Sequence, residues 1–530
     1  MPLPEAGAPE ALDLHASARE DRSTAVFLSS WACRYRTIAF ISVLLGGGLL
    51  RFAGLGKESI WLDEATSLII ARMDLPSVIA WAAADVHPPL YYMVLHFWLR
   101  LGETEYAIRA LSAVFGVLTI VTVYSLACDL LGQRAGILSA LLLALAPLHI
   151  WYCQEARMYV MVTMLSLLAS RLLLLGLRSD AATANRSGSR SIRYWLAYVL
   201  VSALALYTHY FALFAWFFSN LFALYWLWRR RSSQWRRWLT AQAVTLMTFL
   251  PWVPILLRQV TTGGGGWVER SLGRPSPYSL LDTWLSFSVG PDSQVYPLVL
   301  RRFAYGLFAI CAAAALYRLW RVDRSVDRTW RRQEGLLFCV LYSGLSVLAV
   351  WLLSQVKPMY STRYLLIFLP GYCMLIAAGL GQLPGRGARQ VATLVLVLTL
   401  LVGNWHAWRV EQNADWRGVA SYVANKAEPG DVVLFSPRWN VKPFEYYSRG
   451  SVDNNMDLPI PVTLEAANRV VSDIAERHKR VWLVWQEGHY SDVNGLAKQV
   501  LDSQYSAIDG AWFRGVDQLM LYALHGYGDG

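Results

Sequence analysis

The sequence is poor in charged residues, which make up 16% of its 530 positions, whereas an average soluble protein carries about 25%. Hydrophobic residues make up 55% and are gathered in long runs. The six cysteines are scattered and none forms a Cys-x-x-Cys pair, so neither a disulfide framework nor a zinc site is indicated. The composition excludes an ordinary soluble chain and predicts a polytopic helical membrane protein.

A recognisable cleavage signal is also missing, because no small-residue site follows the first apolar run; we interpret that run as an uncleaved anchor. A helix needs about 20 apolar residues to cross the hydrocarbon core. We therefore predict an all-α polytopic protein with about eleven transmembrane helices, at residues 37–56, 106–128, 134–151, 157–177, 194–209, 211–228, 238–257, 302–320, 335–355, 363–381 and 391–408.

Basic residues are concentrated in alternate loops, which indicates the cytoplasmic side of the membrane. These positions are Arg34 and Arg36, the segments 178–193, 229–237 and 318–332, and Arg386 and Arg389. The N-terminus is then cytoplasmic and the C-terminus extracytoplasmic, in a multi-pass protein of the inner (plasma) membrane. The net charge of +11 reflects this topology and attraction to anionic lipid, and does not indicate a nucleic-acid partner.

Three parts follow from these patterns. Residues 1–36 form a cytoplasmic segment, 37–409 a transmembrane domain with an outer-face loop at 57–105, and 410–530 an extracytoplasmic α/β domain. Within the loop, the apolar segment 88–101 is short and is predicted to lie on the membrane surface. In the last part we predict helices at 415–426 and 463–478 and strands at 431–436, 481–486 and 518–523.

An acidic pair, Asp63 and Glu64, stands in the 57–105 loop and is the first candidate for chemistry. Such a pair often marks a solvent-facing helix start. Here the flanking residues are apolar and the membrane boundary is close, so a partly desolvated carboxylate suited to general-base catalysis is predicted. His87 opens a His-Pro-Pro motif about 24 residues later in the same loop. The prolines suit the first turn of a helix, but the shared loop makes His87 a second candidate.

Further candidates fall in the outer turns between predicted spans. Glu155 and Arg157 lie in one turn and His209 in another, while Lys357 and Arg363 lie in a third. Charged residues at span ends often mark the interface or extend towards water. Ionisable groups at membrane depth are costly, however, and are often functional, and arginine binds phosphate through paired donors.

Several of these motifs together resemble a known family. They are Trp-Leu-Asp-Glu-Ala at Trp61–Ala65, His-Pro-Pro-Leu-Tyr at His87–Tyr91, Gln-Glu-Ala-Arg-Met-Tyr at Gln154–Tyr159, Tyr-Thr-His-Tyr at Tyr207–Tyr210 and Arg-Tyr-Leu-Leu at Arg363–Leu366. The combination resembles the bacterial branch of the GT-C glycosyltransferases, which is similar to protein O-mannosyltransferases and lipid A aminoarabinose transferases. The resemblance covers roughly residues 37–410. The outer loop at 258–301 is too short for the β-trefoil insertion of protein mannosyltransferases.

The resemblance implies a sugar donor carried on polyprenyl phosphate and transfer on the extracytoplasmic face to a lipid, glycan or protein acceptor. It implies that Asp63 binds or deprotonates the acceptor hydroxyl and that Glu155 is the second acidic position. We place Glu64 in the catalytic group with them. The residues expected to bind substrate are His87, Arg157, Tyr159, His209, Tyr210, Lys357, Arg363 and Tyr364.

The expected mechanism is a single displacement that inverts the anomeric carbon, with Lys357, Arg363 and Arg157 neutralising the leaving phosphate. No metal site is assigned, although a divalent metal shared by a histidine and a carboxylate stays an open alternative. The alternatives from other classes are a transporter or flippase of lipid-linked sugars, a membrane scaffold and a glycosidase. Transporters often carry internal repeats, and none is visible here. We expect Asp63, Glu155 and Arg363 to line one outward cavity.

Overall fold

A computed structural model describes residues 34–179, 188–262, 272–291, 297–321, 327–486 and 491–524. The predicted cytoplasmic segment 1–36 lies outside the described residues, except for its last three positions. In the membrane half, helices α1 to α19 are, in order, Arg34–Phe52, Leu62–Ala71, Leu75–Ala84, Leu90–Trp98, Glu105–Leu131, Gln133–Leu145, Pro147–Cys153, Tyr159–Arg178, Gly188–Leu206, Ala212–Arg230, Trp235–Phe249, Val253–Thr262, Tyr278–Val289, Leu298–Trp320, Asp327–Cys339, Ser346–Leu353, Thr362–Leu365, Leu369–Leu380 and Arg386–Arg409.

Short turns of other helical types join some of these helices. The 3₁₀ segments are Leu99–Leu101, Leu250–Trp252 and Leu366–Phe368, and the π-helical segment is Val340–Leu345. The last two join α17 to α18 and α15 to α16, so that each pair forms one long helix across the membrane half.

The described residues include eight helices long and apolar enough to span a membrane, or nine if the bent pair α6 and α7 is one span. The chain is thus a multi-pass membrane protein, but the predicted count of eleven is not confirmed. The predicted spans 194–209 and 211–228 correspond to α9 and α10. The apolar part of α9, Ser191–Leu206, is too short, and α10 is not among the helices that are long and apolar enough to span a membrane. The predicted break near His209 is present between them.

The bend between α6 and α7 shapes the outer turn that follows them. The two helices meet at an angle of 61°. Ala146 at the break has extended backbone, and Pro147 occupies the first turn of α7; the residue before a proline is pushed out of the helical region in this way. Because α7 ends at Cys153, Glu155 and Arg157 fall in the turn before α8.

The outer loop between α1 and α5 folds into α2, α3 and α4. Asp74 caps α3 by accepting a hydrogen bond from the backbone N–H of Ser77 at 3.0 Å, an arrangement typical of helix starts. Helix α4 follows the His-Pro-Pro motif and has nine residues, so at about 1.5 Å per residue it is too short to cross the hydrocarbon core. Tyr91, Tyr92 and Leu95 on α4 are buried against the bundle.

The C-terminal part is a five-stranded sheet covered by helices on both faces. Its strands β1 to β5 are Val432–Ser436, Asp453–Asn455, Arg480–Trp485, Ser506–Phe513 and Val516–Ala523, and its helices α20 to α23 are Trp416–Lys426, Val441–Ser448, Leu464–Arg477 and Leu496–Gln504, with a 3₁₀ turn at Arg438–Asn440. The strand order is β2-β1-β3-β5-β4. Strand β1 pairs in parallel with β2 and β3, and β5 runs antiparallel to β3 and β4.

Two separate apolar cores explain this layering. One face of the sheet packs against Trp416, Val419 and Phe444 from α20 and α21. The other face packs against Val471 and Val500, from α22 and α23 respectively. Every residue of β1 is buried, as expected for a strand covered on both faces.

Helix α21 also joins the sheet domain to the outer loop. The hydroxyl of Tyr447 accepts a hydrogen bond from the backbone N–H of Ile60 at 2.8 Å, and the hydroxyl of Tyr446 donates to the carbonyl oxygen of Glu103 at 2.7 Å. Both rings pack against a small buried cluster that includes Ile60 and Leu68. The sheet domain therefore rests directly on the helix that carries the acidic pair.

Candidate functional site

Two arginines from distant parts of the chain converge on Asp63. The Oδ2 atom of Asp63 lies 3.3 Å from Nη1 of Arg363 and 3.8 Å from Nη2 of Arg157. Asp63 stands in the first turn of α2, where the helix dipole favours a negative charge. Among the described residues, Oδ1 of Asp63 has no hydrogen-bond partner, and the side chain is 27% exposed. The carboxylate thus keeps one oxygen without a hydrogen-bond partner beside two cations.

Arg157 is held in place by the start of α2 and by α8, the helix that follows it. Its Nη1 atom donates to Ser67 Oγ at 3.2 Å and reaches the carbonyl oxygen of Asp63 at 3.4 Å. The guanidinium lies 5.7 Å from the centre of the Tyr159 ring. The residue is 5% exposed, and its Nε has no hydrogen-bond partner within the described ranges. A buried guanidinium with a spare donor is suited to an anionic ligand.

Arg363 and Tyr364 come from α17, at the start of a largely buried span. The guanidinium of Arg363 lies 5.8 Å from the centre of the Tyr364 ring, a distance at which a cation and an aromatic face attract each other. The Tyr364 ring is in turn 6.0 Å from that of Tyr159. Both arginines are therefore supported by aromatic side chains of the bundle interior.

Glu64 occupies a different place from its neighbour Asp63. It is fully buried, and both its oxygens receive hydrogen bonds from Arg109 on α5, at 2.8 and 2.6 Å. Oε1 also accepts from the backbone N–H of Ala156 at 2.9 Å. Arg109 donates further to the carbonyl oxygens of Leu55, Glu58 and Ser59. The carboxylate of Glu64 thus already has three donors, an arrangement that favours positioning, and its catalytic role stays a prediction.

His87 and His209 pack together, and the charge of Arg157 acts on both. Their ring centres are 5.4 Å apart, and the ring of His209 also lies 5.2 Å from that of Tyr364. His87 lies 3.5 Å from Asp85 through Nδ1, and His209 Nδ1 accepts from the backbone N–H of Phe211. Burial lowers the pKa of both histidines, so both are neutral at pH 7.

The donor atoms for a metal are not grouped in the described part of the chain. No set of three His, Cys, Asp or Glu side chains there is close enough to hold an ion. Asp63 faces two arginines, and the Nδ1 atom of His209 is committed to the backbone N–H of Phe211. These residues do not fit the metal alternative raised by the sequence, and no chemical step is assigned to a metal.

Two predicted substrate-binding residues lie elsewhere. Tyr210 donates to the side-chain oxygen of Gln259 and accepts from the indole N–H of Trp252. Lys357 donates to the carbonyl oxygen of Val260, near the end of α12. Both residues fasten α12 to the outer face, and neither joins the group around Asp63. The sequence could not show which neighbour each of them would meet.

Glu155 lines a cavity of about 400 Å³ between α1, α7, α19 and the segment that leads to the sheet domain. Its walls are mostly apolar, with Gln154, Asn404 and Asn413 among the polar lining residues. Oε1 of Glu155 accepts from the Trp151 indole N–H at 2.7 Å, and Oε2 is buried with no partner within the described ranges. Asp63 and Arg363 do not line this cavity, and the expectation that they share a cavity with Glu155 stays a prediction. The two groups are neighbours, since the charges of Asp63 and Arg363 both act on Glu155.

The protonation of Glu155 gives a stability prediction. Burial raises the pKa of Glu155 from 4.5 to about 8, and the carboxylates of Glu64 and Asp63 add to this effect. The folded protein then keeps a proton that the unfolded chain releases, so stability falls as pH rises from about 4.5 to about 8. Glu155→Gln is neutral in both states. We expect its melting temperature to exceed that of the wild type by a few degrees at pH 8, with the difference shrinking towards pH 5; parallel curves would exclude this protonation.

Some residues around Asp63 were not predicted from sequence. Asp85 pairs with His87, and Arg109 binds Glu64. Lys442 reaches Thr66 on α2 from the sheet domain, with Nζ 3.2 Å from Oγ1. Arg109 lies inside a predicted span, where an ionisable residue is a signal in its own right. Asp85 stands two positions before His87, and its place in the same loop could have identified it. No feature of the sequence points to Lys442.

Part of the chain matches a known protein family. A family model described as dolichyl-phosphate-mannose-protein mannosyltransferase matches residues 86–255, a range that includes His87, Arg157 and His209. A search of curated proteins finds no significant match.

Solved structures provide the stronger likeness. The chain is similar to ArnT from Cupriavidus metallidurans in the apo state, with a TM-score of 0.60 and 13% identity over 93% of this chain and 98% of that one. ArnT from the same organism bound to undecaprenyl phosphate gives a TM-score of 0.58 and 14% identity over 92% of this chain and 98% of that one. The chain is also similar to the archaeal oligosaccharyltransferase AglB from Archaeoglobus fulgidus, in complex with an inhibitory peptide and a dolichol-phosphate. The TM-score is 0.54, with 13% identity over 85% of this chain and 69% of that one. The chain has the GT-C glycosyltransferase fold, which confirms the resemblance inferred from its motifs.

Proposed function

We propose that the protein is a membrane glycosyltransferase that moves a sugar from a polyprenyl-phosphate donor to an acceptor hydroxyl. The observation that carries this proposal is the convergence of Arg157 and Arg363 on Asp63 at the outer ends of buried spans. A GT-C fold, a carboxylate with one oxygen that lacks a hydrogen-bond partner in the described part of the chain, and two adjacent guanidinium groups together suit a phosphate-linked donor. The reaction takes place on the extracytoplasmic face of the inner membrane, where the sheet domain also lies.

Asp63 acts as the general base in this scheme. Its Oδ1 atom accepts the proton of the acceptor hydroxyl while the hydroxyl oxygen attacks the anomeric carbon. The new bond joins that carbon to the acceptor oxygen, and the bond to the phosphate oxygen breaks with its electron pair. One displacement inverts the anomeric carbon. The geometry that suits this role is the pairing of both arginines with Oδ2, which leaves Oδ1 for the acceptor.

Arg157 and Arg363 bind the phosphate that leaves. The phosphate gains negative charge as the sugar departs, and preorganised cations stabilise that charge most strongly in the transition state. Donor binding has a second effect, because phosphate oxygens compete with Asp63 for the two guanidinium groups. The carboxylate then loses part of its ion pairing and is free to accept a hydrogen bond from the acceptor hydroxyl.

The cavity beside Glu155 is suited to the acceptor. A volume of about 400 Å³ lies within the usual range for small-molecule sites, which is roughly 300–1,000 Å³. The protonated Glu155 can donate a hydrogen bond to an acceptor oxygen, and the apolar walls suit a lipid or a sugar face. The acceptor is a lipid, a glycan or a protein segment that presents such a hydroxyl.

The transporter alternative has less support. Among the described residues there is one bent helix pair, whereas transporters often carry broken helices in matching positions of two repeats. The charged groups around Asp63 also lie at the outer ends of the spans, and not at mid-membrane depth.

The proposal is tested by incubating purified protein in nanodiscs with a panel of polyprenyl-phosphate sugars and candidate acceptors. We expect release of polyprenyl phosphate together with an equal amount of glycosylated acceptor for at least one donor. When no acceptor is present, the donor should release little polyprenyl phosphate. Transport of intact donor across the membrane without cleavage of the sugar–phosphate bond would contradict the proposal.

The acceptor cavity yields a specific prediction once that acceptor is known. Ala407 lines the cavity from α19, so Ala407→Trp should narrow it and raise the acceptor KM by about tenfold or more. The affinity for polyprenyl phosphate should stay at its wild-type value. Val402 lies on the same helix and is 41% exposed, so Val402→Trp is the matched control. If the acceptor KM is the same in both variants, the acceptor does not bind in this cavity.

A further inference from the structure

We propose that Lys442, on helix α21 of the sheet domain, is a phosphate-binding residue of the site around Asp63. The inference rests on the proposed function and extends it, because it assigns part of the donor site to a domain that lies outside the membrane bundle. The ligand is the phosphate of a polyprenyl-phosphate sugar or of the polyprenyl phosphate released from it.

The position of Lys442 is fixed by the contacts of its helix. Tyr446 and Tyr447, one turn further along α21, hold the helix to the outer loop through hydrogen bonds to Glu103 and Ile60. Lys442 Nζ donates to Thr66 Oγ1 at 3.2 Å. Thr66 stands three residues after Asp63 on α2, and residues at this spacing share one face of a helix. The ammonium group therefore lies within about one helical turn of the Asp63 carboxylate.

The ammonium group of Lys442 has N–H donors that are available to a ligand. A lysine carries three N–H donors, and within the described ranges Lys442 uses one, towards Thr66. It forms no ion pair with a carboxylate in that part of the chain, although it is only partly exposed. Burial lowers its pKa, and the charges of Asp85 and Asp63 oppose this effect. A half-buried ammonium group with no carboxylate partner is costly unless an anion completes its surroundings.

The charges around the site leave room for one anion. Arg157, Arg363 and Lys442 contribute three positive charges, and Asp63 and Asp85 contribute two negative ones. A phosphodiester donor carries one negative charge and balances this excess. When the sugar leaves, the phosphate becomes a monoester with a further negative charge, and a third cation then stabilises the product side of the reaction.

A purely structural role for Lys442 is the competing explanation. Its bond to Thr66 could serve only to hold the sheet domain on the outer loop. The tyrosine contacts of α21 already perform that task, however, and Arg417 adds an ion pair to Glu105 at 2.7 Å. The domain contact therefore does not depend on the lysine charge.

The test measures binding of undecaprenyl phosphate to the full-length protein in nanodiscs of neutral lipid. Lys442→Gln keeps a donor for Thr66 but removes the charge, and we expect its Kd for undecaprenyl phosphate to rise about 10–100-fold. Lys442→Arg should restore most of the affinity. Lys498, which pairs with Asp502 on α23 of the same domain, gives the matched control Lys498→Gln, which should bind as the wild type does. Melting temperatures of all three variants should equal that of the wild type.

Each other outcome overturns the assignment. A wild-type Kd in Lys442→Gln removes Lys442 from the site, and the proposed function stands if the wild-type enzyme still cleaves a donor. Equal loss in Lys442→Gln and Lys442→Arg with lower melting temperatures indicates a structural lysine. Equal affinity for phosphatidylglycerol shows that the residue attracts any anionic lipid. A wild-type protein that neither binds undecaprenyl phosphate nor cleaves any donor ends both the assignment and the proposed function.

Discussion

Replacing Asp63 by Asn is expected to lower the rate of sugar transfer by about 10²–10⁴-fold, the usual contribution of a general base. The amide has nearly the same shape but cannot accept the proton of the acceptor hydroxyl. Folding should be affected less than by loss of the Glu64–Arg109 pair, because the Asp63 and Arg363 side chains are 27% and 29% exposed, although Arg157 is buried. The measurement is the initial rate of polyprenyl phosphate release, with the melting temperature as a check on folding.

The control for this variant is Asp282→Asn. Asp282 is exposed on α13, so its replacement should leave the transfer rate at the wild-type value. The binding of undecaprenyl phosphate should be retained or improved in Asp63→Asn, because one negative charge near the phosphate site is removed. Wild-type turnover in Asp63→Asn would exclude Asp63 as the base.

Replacing the adjacent Glu64 by Gln is expected to lower the free energy of unfolding and to have little effect on the transfer step itself. Glu64 and Arg109 form a buried ion pair at 2.6 Å, with exposures of 0% and 3%. Removing one partner of such a pair leaves a buried charge without its counterion, which costs about 3–5 kcal/mol. Arg109 also holds three carbonyl oxygens of the loop before α2, so the loop that carries Asp63 should loosen.

The measurement is the free energy of unfolding in mixed micelles, compared with that of Glu103→Gln. Glu103 pairs with Arg72 at the surface, with exposures of 44% and 47%, so its loss should cost less than about 1 kcal/mol. The transfer rate per folded molecule should fall much less in Glu64→Gln than in Asp63→Asn. A fully stable Glu64→Gln protein with no activity would instead place Glu64 in the catalytic group.

The contrast between Asp63 and Glu64 shows where sequence reasoning reached its limit. The pair was identifiable from its place between a membrane span and a His-Pro-Pro motif. Which of two adjacent carboxylates faces the substrate depends on the direction of each side chain from α2, and on Arg109, which lies 45 residues further along the chain than Glu64. Periodicity within one loop does not contain that information.

More of the fold than of the site could be predicted from the sequence. Long apolar runs predicted most of the membrane helices within a few residues, and the compositional change near residue 410 marked the start of the α/β part. Strands β1, β3 and β5 were predicted, because their runs of buried apolar residues are strong local signals. Strands β2 and β4 were missed: β2 has three polar residues, and β4 is largely exposed at the sheet edge.

Lys442 illustrates the remaining difficulty. It stands in a short amphipathic helix with no motif around it, and it reaches Thr66 across 376 positions of sequence. Only the docking of α21 on the outer loop brings it towards Asp63. Contacts of this kind depend on how two domains pack, which single-sequence patterns do not specify.

The central claim is that Arg157 and Arg363 hold the phosphate of the donor beside Asp63. The most direct measurement is an experimental structure of the protein with undecaprenyl phosphate bound. We expect phosphate oxygens within about 3 Å of both guanidinium groups, with the Oδ1 atom of Asp63 facing the side from which the acceptor enters. A phosphate bound in the cavity beside Glu155, or at the opposite ends of the spans, would contradict this arrangement.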